Sequence, residues 1–414
     1  SGGVSTFREY QGFSQVEARI SNNVTIDNSD GGPFSSLTGE IKITGETTVS
    51  SGSTVEVGKT KTLTVTDRFA VPLGETNNRD NAPEAGTTRF NQDFGTLEFF
   101  DGINWKTVNS YNRSGAGRGY FAGGDPGGVN NKRIATVLIQ TLGSATNFGE
   151  LEDGRQNGST GGALSSSTRA LVSGGFISPA ATSDVEYFAL TSTGNAVDFG
   201  NLRVAVRNHA SCASSTRGLF GGGEPGPSAE ITYVEIATTG DSLNFGDLTV
   251  ARNQITATSS PTRGVFIAGE QDFQVMDYVI IASKGDAIDF GDLSKSRDNC
   301  SGVSNGVRGV IGSGFGGPGA SVRVKTMDYI TFASQGNAID FGERSEEADT
   351  AATCDSTRGI FKSDFVSPSK TTSNVVDYIT IASAGNAIDW GDFVDSGSQT
   401  MGNMSDSHGG LGGF

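Results

Sequence analysis

The stretch Arg263-Gly-Val-Phe-Ile-Ala-Gly-Glu-Gln-Asp-Phe-Gln-Val-Met-Asp-Tyr-Val-Ile-Ile-Ala-Ser-Lys-Gly-Asp-Ala-Ile-Asp-Phe-Gly-Asp, residues 263–292, recurs in recognisable copies over most of the chain. Its opening Arg-Gly pair returns at intervals of 45 to 51 residues, at Arg118, Arg169, Arg217, Arg263, Arg308 and Arg358. Internal repeats of this period are typical of solenoids and propellers. The chain is therefore expected to repeat one structural unit.

Two marks fix the register within each copy. An aromatic-glycine pair ends the copy, at Phe148, Phe199, Phe245, Phe290, Phe341 and Trp390. Twelve residues before the aromatic stands Thr136 in the first copy and otherwise Tyr187, Tyr233, Tyr278, Tyr329 and Tyr378. Short β-type runs fill the copy, divided by Gly, Ser, Asn and Asp at turns, and none has room for a regular helix. With a further strand ahead of each Arg, the pattern predicts four strands per repeat, which is one propeller blade.

The repeat resembles the kelch blade. A hydrophobic strand ends in a glycine pair (Gly123-Gly124, Gly174-Gly175, Gly221-Gly222), a Tyr strand follows, and an aromatic closes the copy, often with an Arg after it (Arg203, Arg252, Arg297). Five of the six copies have Phe where kelch has Trp. The resemblance implies an all-β fold with a six-bladed kelch-like propeller over residues 111–414. It leaves the function open, because one fold serves many functions.

The two ends of the repeat region complement each other. The first copy has little room for an opening strand between Trp105 and Arg118, whereas residues 397–405 form a spare opening strand with no copy after it. The C-terminal strand is therefore predicted to join the first sheet and to close the ring.

Residues 1–110 do not repeat the blade. Runs at 39–45, 53–58 and 62–66 alternate apolar and polar residues, yet each offers only about two aliphatic side chains to a core. Such strands bury too little surface to offset the entropy of ordering them in one chain. We expect them to associate as a homotrimer, with residues 1–83 as an attachment and shaft region and residues 84–110 as a hairpin module.

The hairpin module carries a second resemblance. Two strands surround the turn Asp93-Phe94-Gly95, and another turn at Asp101-Gly102 precedes Trp105. Gly86-Thr-Thr-Arg-Phe-Asn, followed by Leu97-Glu-Phe-Phe-Asp-Gly-Ile-Asn-Trp, is similar to a short module of bacteriophage fibre and tail proteins. The match covers about twenty residues, Gly86 to Trp105.

This resemblance implies a phage virion structural protein, made in the host cytoplasm and placed in a tail or capsid fibre. Its N-terminal region would attach to other virion proteins, and its propeller would bind a glycan or protein of the host surface. Two alternatives stay open: a capsid-attached fibre or decoration protein without a strict receptor role, and a glycan-degrading propeller enzyme.

Charge and composition exclude some partners. A net charge of −16 and a pI near 4.6 argue against nucleic acid, whose phosphates would be repelled. No apolar run approaches the length of a membrane span, so membrane insertion is not expected. Cys212, Cys300 and Cys354 each precede a repeated Arg by four to eight residues and are expected to be buried free thiols.

Candidate chemistry is sparse. His209 and His408 are the two histidines, too few for a multi-His metal site or a convincing Ser-His-Asp triad. The repeated acids Asp198, Asp289, Asp340 and Asp389 offer carboxylates to a glycosidase or to Ca²⁺. Acids repeated at turns more often bond nearby backbone N–H groups. No enzyme activity, cofactor or metal is predicted, and the repeated Arg is expected to brace neighbouring blades.

Length varies mainly in the loops between the second and third strands of each copy. Loops on a rigid scaffold are where binding usually resides. Ligand contacts are therefore predicted in the two longest, 316–323 and 366–373. There Arg323 and Lys370 would donate hydrogen bonds and Phe365 would supply an apolar surface. Drift of unconstrained loops explains the same variation equally well.

Overall fold

A computed structural model of the 414-residue chain describes residues 71–93, 96–108, 117–126, 131–141, 143–156, 162–270, 274–316, 322–366, 373–393, 398–399 and 401–407. The chain divides into two units, Ser1–Ala70 and Val71–Phe414. The shaft strands predicted at 39–66 lie outside the described residues, and the homotrimer expected from them stays a prediction.

Four strands between residues 71 and 108 form a small sheet, the hairpin sheet. They are Leu73–Gly74, Thr88–Asn91, Thr96–Phe100 and Trp105–Val108, with a short 3-10 helix at Thr76–Asn78. The second and third strands pair antiparallel, as do the third and fourth, as the predicted hairpins require. The first strand pairs parallel with Phe90 and Asn91, so the sheet begins at Leu73, ahead of the expected boundary at residue 84.

Six further sheets share one plan. In each, an opening strand pairs with a second strand, the second with a third, and the third with a fourth. Sheet 1 contains Gly402–Ser405, Arg118–Ala122, Arg133–Leu138 and Thr146–Glu150. Sheet 2 contains Ala163–Ser165, Arg169–Ser173, Asp184–Ala189 and Val197–Asn201. Sheet 3 contains Ala210–Ala213, Arg217–Gly221, Ser228–Glu235 and Leu243–Arg252.

The remaining three sheets repeat the arrangement, and all six are antiparallel throughout. Sheet 4 contains Thr256–Ser259, Arg263–Ile267, Val275–Ile280 and Ile288–Asp292. Sheet 5 contains Ser301–Ser304, Arg308–Gly312, Thr326–Thr331 and Ile339–Glu343. Sheet 6 contains Ala348–Cys354, Arg358–Val366, Val375–Thr380 and Ile388–Asp392.

Short strands supplement the sheets, either between a second and a third strand or ahead of an opening strand. Phe176–Ile177 pairs with Ala180–Ala181, and Ser398–Gln399 pairs with Asp125–Pro126. Phe315–Gly316 pairs with both Arg297–Asp298 and Val322–Arg323. Ser398–Gln399 lies within the strand predicted at 397–405. The other short strands were not predicted, because two residues are too few to show a period.

The opening strands contact one another in order. Each touches the opening strand of the next sheet, and that of sheet 6 touches that of sheet 1. A side-chain hydroxyl donates to a backbone carbonyl at each of these six junctions: Ser165 to Ser405, Ser211 to Ala163, Ser259 to Ala213, Ser304 to Ser259, Ser301 to Thr350 and Thr353 to Met404. Small hydroxyl side chains thus satisfy polar groups where the backbones lie close together.

The core is divided into six hydrophobic clusters, one at each junction between consecutive sheets. Between sheets 1 and 2, Tyr120, Phe148 and Phe188 pack with ring centres 5.1 to 5.9 Å apart. Between sheets 6 and 1, Phe121 packs edge-on against Phe393, beside buried Trp390. The repeated aromatics thus lie between sheets.

The fold is all-β, with no α-helix among the described residues. The pairing of Gly402–Ser405 with Arg118–Ala122 confirms that the C-terminal strand completes the first sheet. The four-stranded repeat is confirmed as well. Cys212, Cys300 and Cys354 are buried free thiols, as predicted. Within the described segments, no helix is long and apolar enough to span a membrane.

Candidate functional site

The repeated arginines brace neighbouring sheets. In sheets 2 to 6 each guanidinium lies 4.2 to 5.0 Å from the centre of its own sheet's repeated Tyr ring. Each also donates to a backbone carbonyl of the next sheet: Arg169 to Ile236, Arg217 to Ile281, Arg263 to Phe332, Arg308 to Ile381 and Arg358 to Ile139. In sheet 1 the Tyr120 hydroxyl donates to the Leu190 carbonyl instead. The predicted bracing role is confirmed for five of the six repeated arginines, those of sheets 2 to 6.

Two of the repeated acids accept hydrogen bonds from backbone N–H groups in turns. The Asp198 and Asp389 carboxylates accept hydrogen bonds from the backbone N–H groups of Gly200 and Gly391, at 3.2 and 3.0 Å. This confirms the predicted turn role for these two acids. Among the described residues, no group of three or more His, Cys, Asp or Glu side chains is placed to hold a metal ion.

The residues predicted to bind a ligand lie in and after the second strands of sheets 5 and 6. Arg323 is buried, donates to both Asp349 carboxylate oxygens at 3.0 and 2.9 Å, and lies 4.2 Å from the centre of the Phe315 ring. Burial raises the pKa of Asp349 to about 6 in spite of this guanidinium. Phe365 belongs to the strand Arg358–Val366, but its side chain and Lys370 lie outside the described residues. The binding role of the three stays a prediction.

His209 is a buried side chain at the start of sheet 3. Its Nε2 lies 2.9 Å from the Ser173 hydroxyl of sheet 2, and its Nδ1 has no hydrogen-bond partner among the described residues. Burial lowers the pKa of this imidazole to about 4, so the ring is neutral at physiological pH. His408 lies outside the described residues.

Among the residues that the structure describes, buried ion pairs of one kind join four of the six junctions. The arginine follows the fourth strand of one sheet or ends it, and the acid stands directly before the repeated Tyr of the next. The pairs are Arg155 with Glu186, Arg252 with Asp277, Arg297 with Asp328 and Arg344 with Asp377, each with both side chains at most 3% exposed. Arg252 and Arg297 were identified from the sequence, but the acidic partners were missed. The acids could have been found, because each stands directly before a repeated Tyr in the sequence.

The junction between sheets 2 and 3 is built differently. Counted from the leucine after the Phe-Gly pair, Val206 stands where Arg155, Arg252 and Arg297 stand elsewhere. Thr232 stands at the position of the acid, directly before Tyr233. Arg203, which the sequence grouped with Arg252 and Arg297, is half exposed and pairs with Glu230.

A cleft of about 510 Å³ lies at this junction, and we call it the junction cleft. Val206 and Thr232 both line it, as do residues 202–205 of the link between the sheets and residues 220–230 of sheet 3. The loop at 224–229 is one of the variable loops between second and third strands. The volume of the junction cleft lies within the range of ligand pockets, roughly 300 to 1,000 Å³.

Glu224 holds the walls of the junction cleft together. Its carboxylate accepts from Arg207 Nε at 2.9 Å, Asn208 Nδ2 at 3.1 Å and Asn253 Nδ2 at 3.0 Å. Its backbone also exchanges hydrogen bonds with that of Arg207. The link between the sheets and the variable loop are therefore fixed to each other, so the cleft is preformed.

Glycine at position 223 is required by the packing. Its φ is +108°, and a Cβ built there would lie 2.4 Å from Val206 Cγ2. A side chain would be strained and would press on the wall of the junction cleft. The repeated glycine pair with left-handed backbone is accordingly Gly222-Gly223, one residue later than the pair identified from the sequence.

A second cavity runs between the opening strands. It measures about 70 Å³ and is lined by three residues from each of the six strands, among them Ser165, Ser211 and Ser304. Such a volume holds a few water molecules. It is too small for a sugar ring, which leaves the junction cleft as the better candidate site.

No known protein family and no curated protein matches the chain.

Proposed function

We propose that the six four-stranded sheets are the blades of one closed, kelch-like propeller. The opening strands contact each other in cyclic order, and one hydrophobic cluster fills each junction. The C-terminal strand Gly402–Ser405 supplies the opening strand of the N-terminal sheet, so the two ends of the repeat region are joined. These contacts are those expected of a ring.

The protein's proposed role is that of a phage virion fibre or spike that binds a glycan on the host surface. The observation that carries this proposal is the hairpin sheet, because its strands pair antiparallel in the order expected of the fibre-like motif between Gly86 and Trp105. In this proposal the N-terminal region forms the trimeric attachment, and the propeller presents its variable loops to the host.

Binding without catalysis is favoured by the roles of the acids. Asp277, Asp328 and Asp377 are buried in ion pairs, and Asp198 and Asp389 bond turn N–H groups. A glycosidase needs two carboxyl groups facing one scissile bond, and those acids are held by structural partners. The preformed junction cleft suits recognition instead.

A cell-binding experiment tests the proposed function. Fluorescently labelled full-length protein is expected to bind cells of the bacterium that the source virus infects, and periodate oxidation of the cell-surface glycans should abolish binding. Antibodies against the protein should label a fibre of the virion. Absence of both cell binding and virion labelling would contradict the proposal.

A further inference from the structure

The four buried ion pairs show what the junction between sheets 2 and 3 lacks. At the junction between sheets 3 and 4, Arg252 pairs with Asp277 at 2.9 Å and donates to the Phe266 carbonyl, and both charged side chains are fully buried. Val206 and Thr232 occupy the corresponding positions and are shorter than Arg and Asp or Glu. The volume that an arginine fills elsewhere is thus available, and both residues line the junction cleft.

We infer that the junction cleft binds one neutral sugar residue of a host-surface glycan. This inference rests on the proposed function and assigns the site at which it is carried out. Three properties of the cleft favour this occupant: its charge balance, its polar and apolar lining residues, and a buried polar atom that has no partner among the described residues.

The charges around the cleft balance. Arg203 pairs with Glu230 at 2.7 Å, and Arg207 pairs with Glu224 at 2.8 Å. A charged ligand would have to compete with one member of each pair, and an anionic ligand would also approach a chain of net charge −16. A neutral polar ligand meets neither obstacle.

The polar wall suits hydroxyl groups. Glu230 is partly exposed and accepts a hydrogen bond from Arg203 Nε at 2.7 Å, and the Arg203 side chain is half exposed. Sugar hydroxyls both donate and accept, so they can bond to a carboxylate and a guanidinium side by side. Ser228 and Thr232 add two hydroxyls to the same wall.

The apolar wall suits the C–H face of a sugar ring. Val204, Pro225 and Pro227 line the cleft, and Val204 is 58% exposed. Binding sites for small molecules commonly combine such apolar surface with a few placed polar groups.

The third property is the imidazole of His209, one of the residues that line the cleft. His209 is 1% exposed, and its neutral ring has an Nδ1 without a hydrogen-bond partner among the described residues. A buried polar atom without a partner costs free energy, and a ligand hydroxyl that reached it would remove that cost. This side chain therefore points to a polar ligand.

The test introduces at this junction the ion pair that four other junctions contain. The double variant Val206→Arg, Thr232→Asp is expected to fold, because it rebuilds the arrangement of Arg252 and Asp277, and to fill the cleft. Glu230→Gln removes the acceptor charge without changing the shape. Glu343→Gln is the matched control, because it alters an exposed ion pair, that with Lys325, at a distant sheet.

The measurement is saturation-transfer NMR on the full-length chain with a panel of neutral methyl hexopyranosides and N-acetylhexosaminides. Matching uronates and a random decapeptide pool serve as competing probes. Neutral glycosides should give signals with the parent and with Glu343→Gln, should bind Glu230→Gln several-fold more weakly, and should bind the double variant at least about tenfold more weakly. Circular dichroism establishes that each variant is folded.

The outcomes separate the site from the function. If the folded double variant and Glu230→Gln bind like the parent, the cleft assignment is overturned, although host binding by other loops stands. Signals from the peptide pool or the uronates instead of neutral glycosides would overturn the ligand class. If the parent binds no probe at all, the inference fails. If the double variant does not fold, the comparison of glycoside binding by Glu230→Gln and Glu343→Gln decides: weaker binding by Glu230→Gln alone supports the cleft, and equal binding overturns it. Failure of the proposed function itself would appear as loss of cell binding and virion labelling.

Discussion

At the scale of single residues, a buried arginine secures a junction through several bonds at once. Arg297 pairs with Asp328 at 2.7 Å, donates to the Thr326 carbonyl at 2.8 Å, and is almost fully buried. Asp328 in turn accepts from the Ser294 hydroxyl at 2.7 Å. Removing one partner of such a pair leaves the other charge buried and uncompensated.

Replacing Asp328 with Ala is therefore expected to lower the free energy of unfolding by about 3 to 5 kcal/mol. Urea unfolding of the two proteins measures the difference. Glu343→Gln, which affects an exposed pair with Lys325, should cost less than about 1 kcal/mol. If both variants lost a similar amount of free energy of unfolding, burial of the ion pair would not be the cause of the destabilisation.

Asp298 provides a pH-dependent test. Burial raises the pKa of its carboxyl from the ordinary value of 3.8 to about 7, helped by the nearby charges of Asp349 and Glu270. The folded protein then holds this proton more tightly than the unfolded chain, so stability falls as the pH rises from about 4 to about 7.

The uncharged variant Asp298→Asn should consequently have a higher Tm than the parent at pH 8, and the advantage should vanish near pH 4. Thermal unfolding at both pH values measures it. An equal Tm difference at the two values would mean that the charge of Asp298 carries no folding penalty.

At the scale of strands and loops, the sequence predicted the strands that recur in every copy. It missed the two-residue strands and the contacts between residues that are distant in the chain. The four strands of each sheet follow from period-two runs and fixed marks such as Tyr278 and Phe290, because packing between sheets demands the same residue at each copy. The strand Phe176–Ile177 has no such period. The junction cleft depends on Val206 and Thr232, which replace the Arg and the acid of the ion pair. These positions are far apart in sequence, so the absence of the ion pair can be recognised only when the positions of the sheets are known.

The closing strand Gly402–Ser405 is the element whose removal should matter most. It pairs with Arg118–Ala122, and its Met404 and Ser405 carbonyls accept from Thr353 and Ser165 of the adjoining sheets. Truncation after Phe393 would expose the edge of sheet 1 and two hydrophobic clusters.

We expect the chain truncated after Phe393 to unfold at a Tm at least several degrees below that of the full chain, as loss of a few kcal/mol implies for a domain of this size. Differential scanning calorimetry measures the shift. An unchanged Tm would contradict the closure of the repeat by its C-terminal strand.

At the scale of the whole molecule, the proposed trimeric stem and the proposed sugar binding would act together. Six sheets with cyclic contacts present variable loops, and a separate unit, Ser1–Ala70, precedes the hairpin sheet. The sequence predicts that the N-terminal strands bury too little apolar surface in one chain and associate around a threefold axis. Three propellers on one stem would let weak sugar contacts add up, since linked sites bind with greatly increased avidity.

Single-particle cryo-electron microscopy of the purified full-length protein tests this account most directly. The account predicts three rings of six four-stranded blades each, joined through one N-terminal stem with threefold symmetry, and each ring closed by its own C-terminal strand. A single ring without a stem, or rings of five or seven blades, would contradict it.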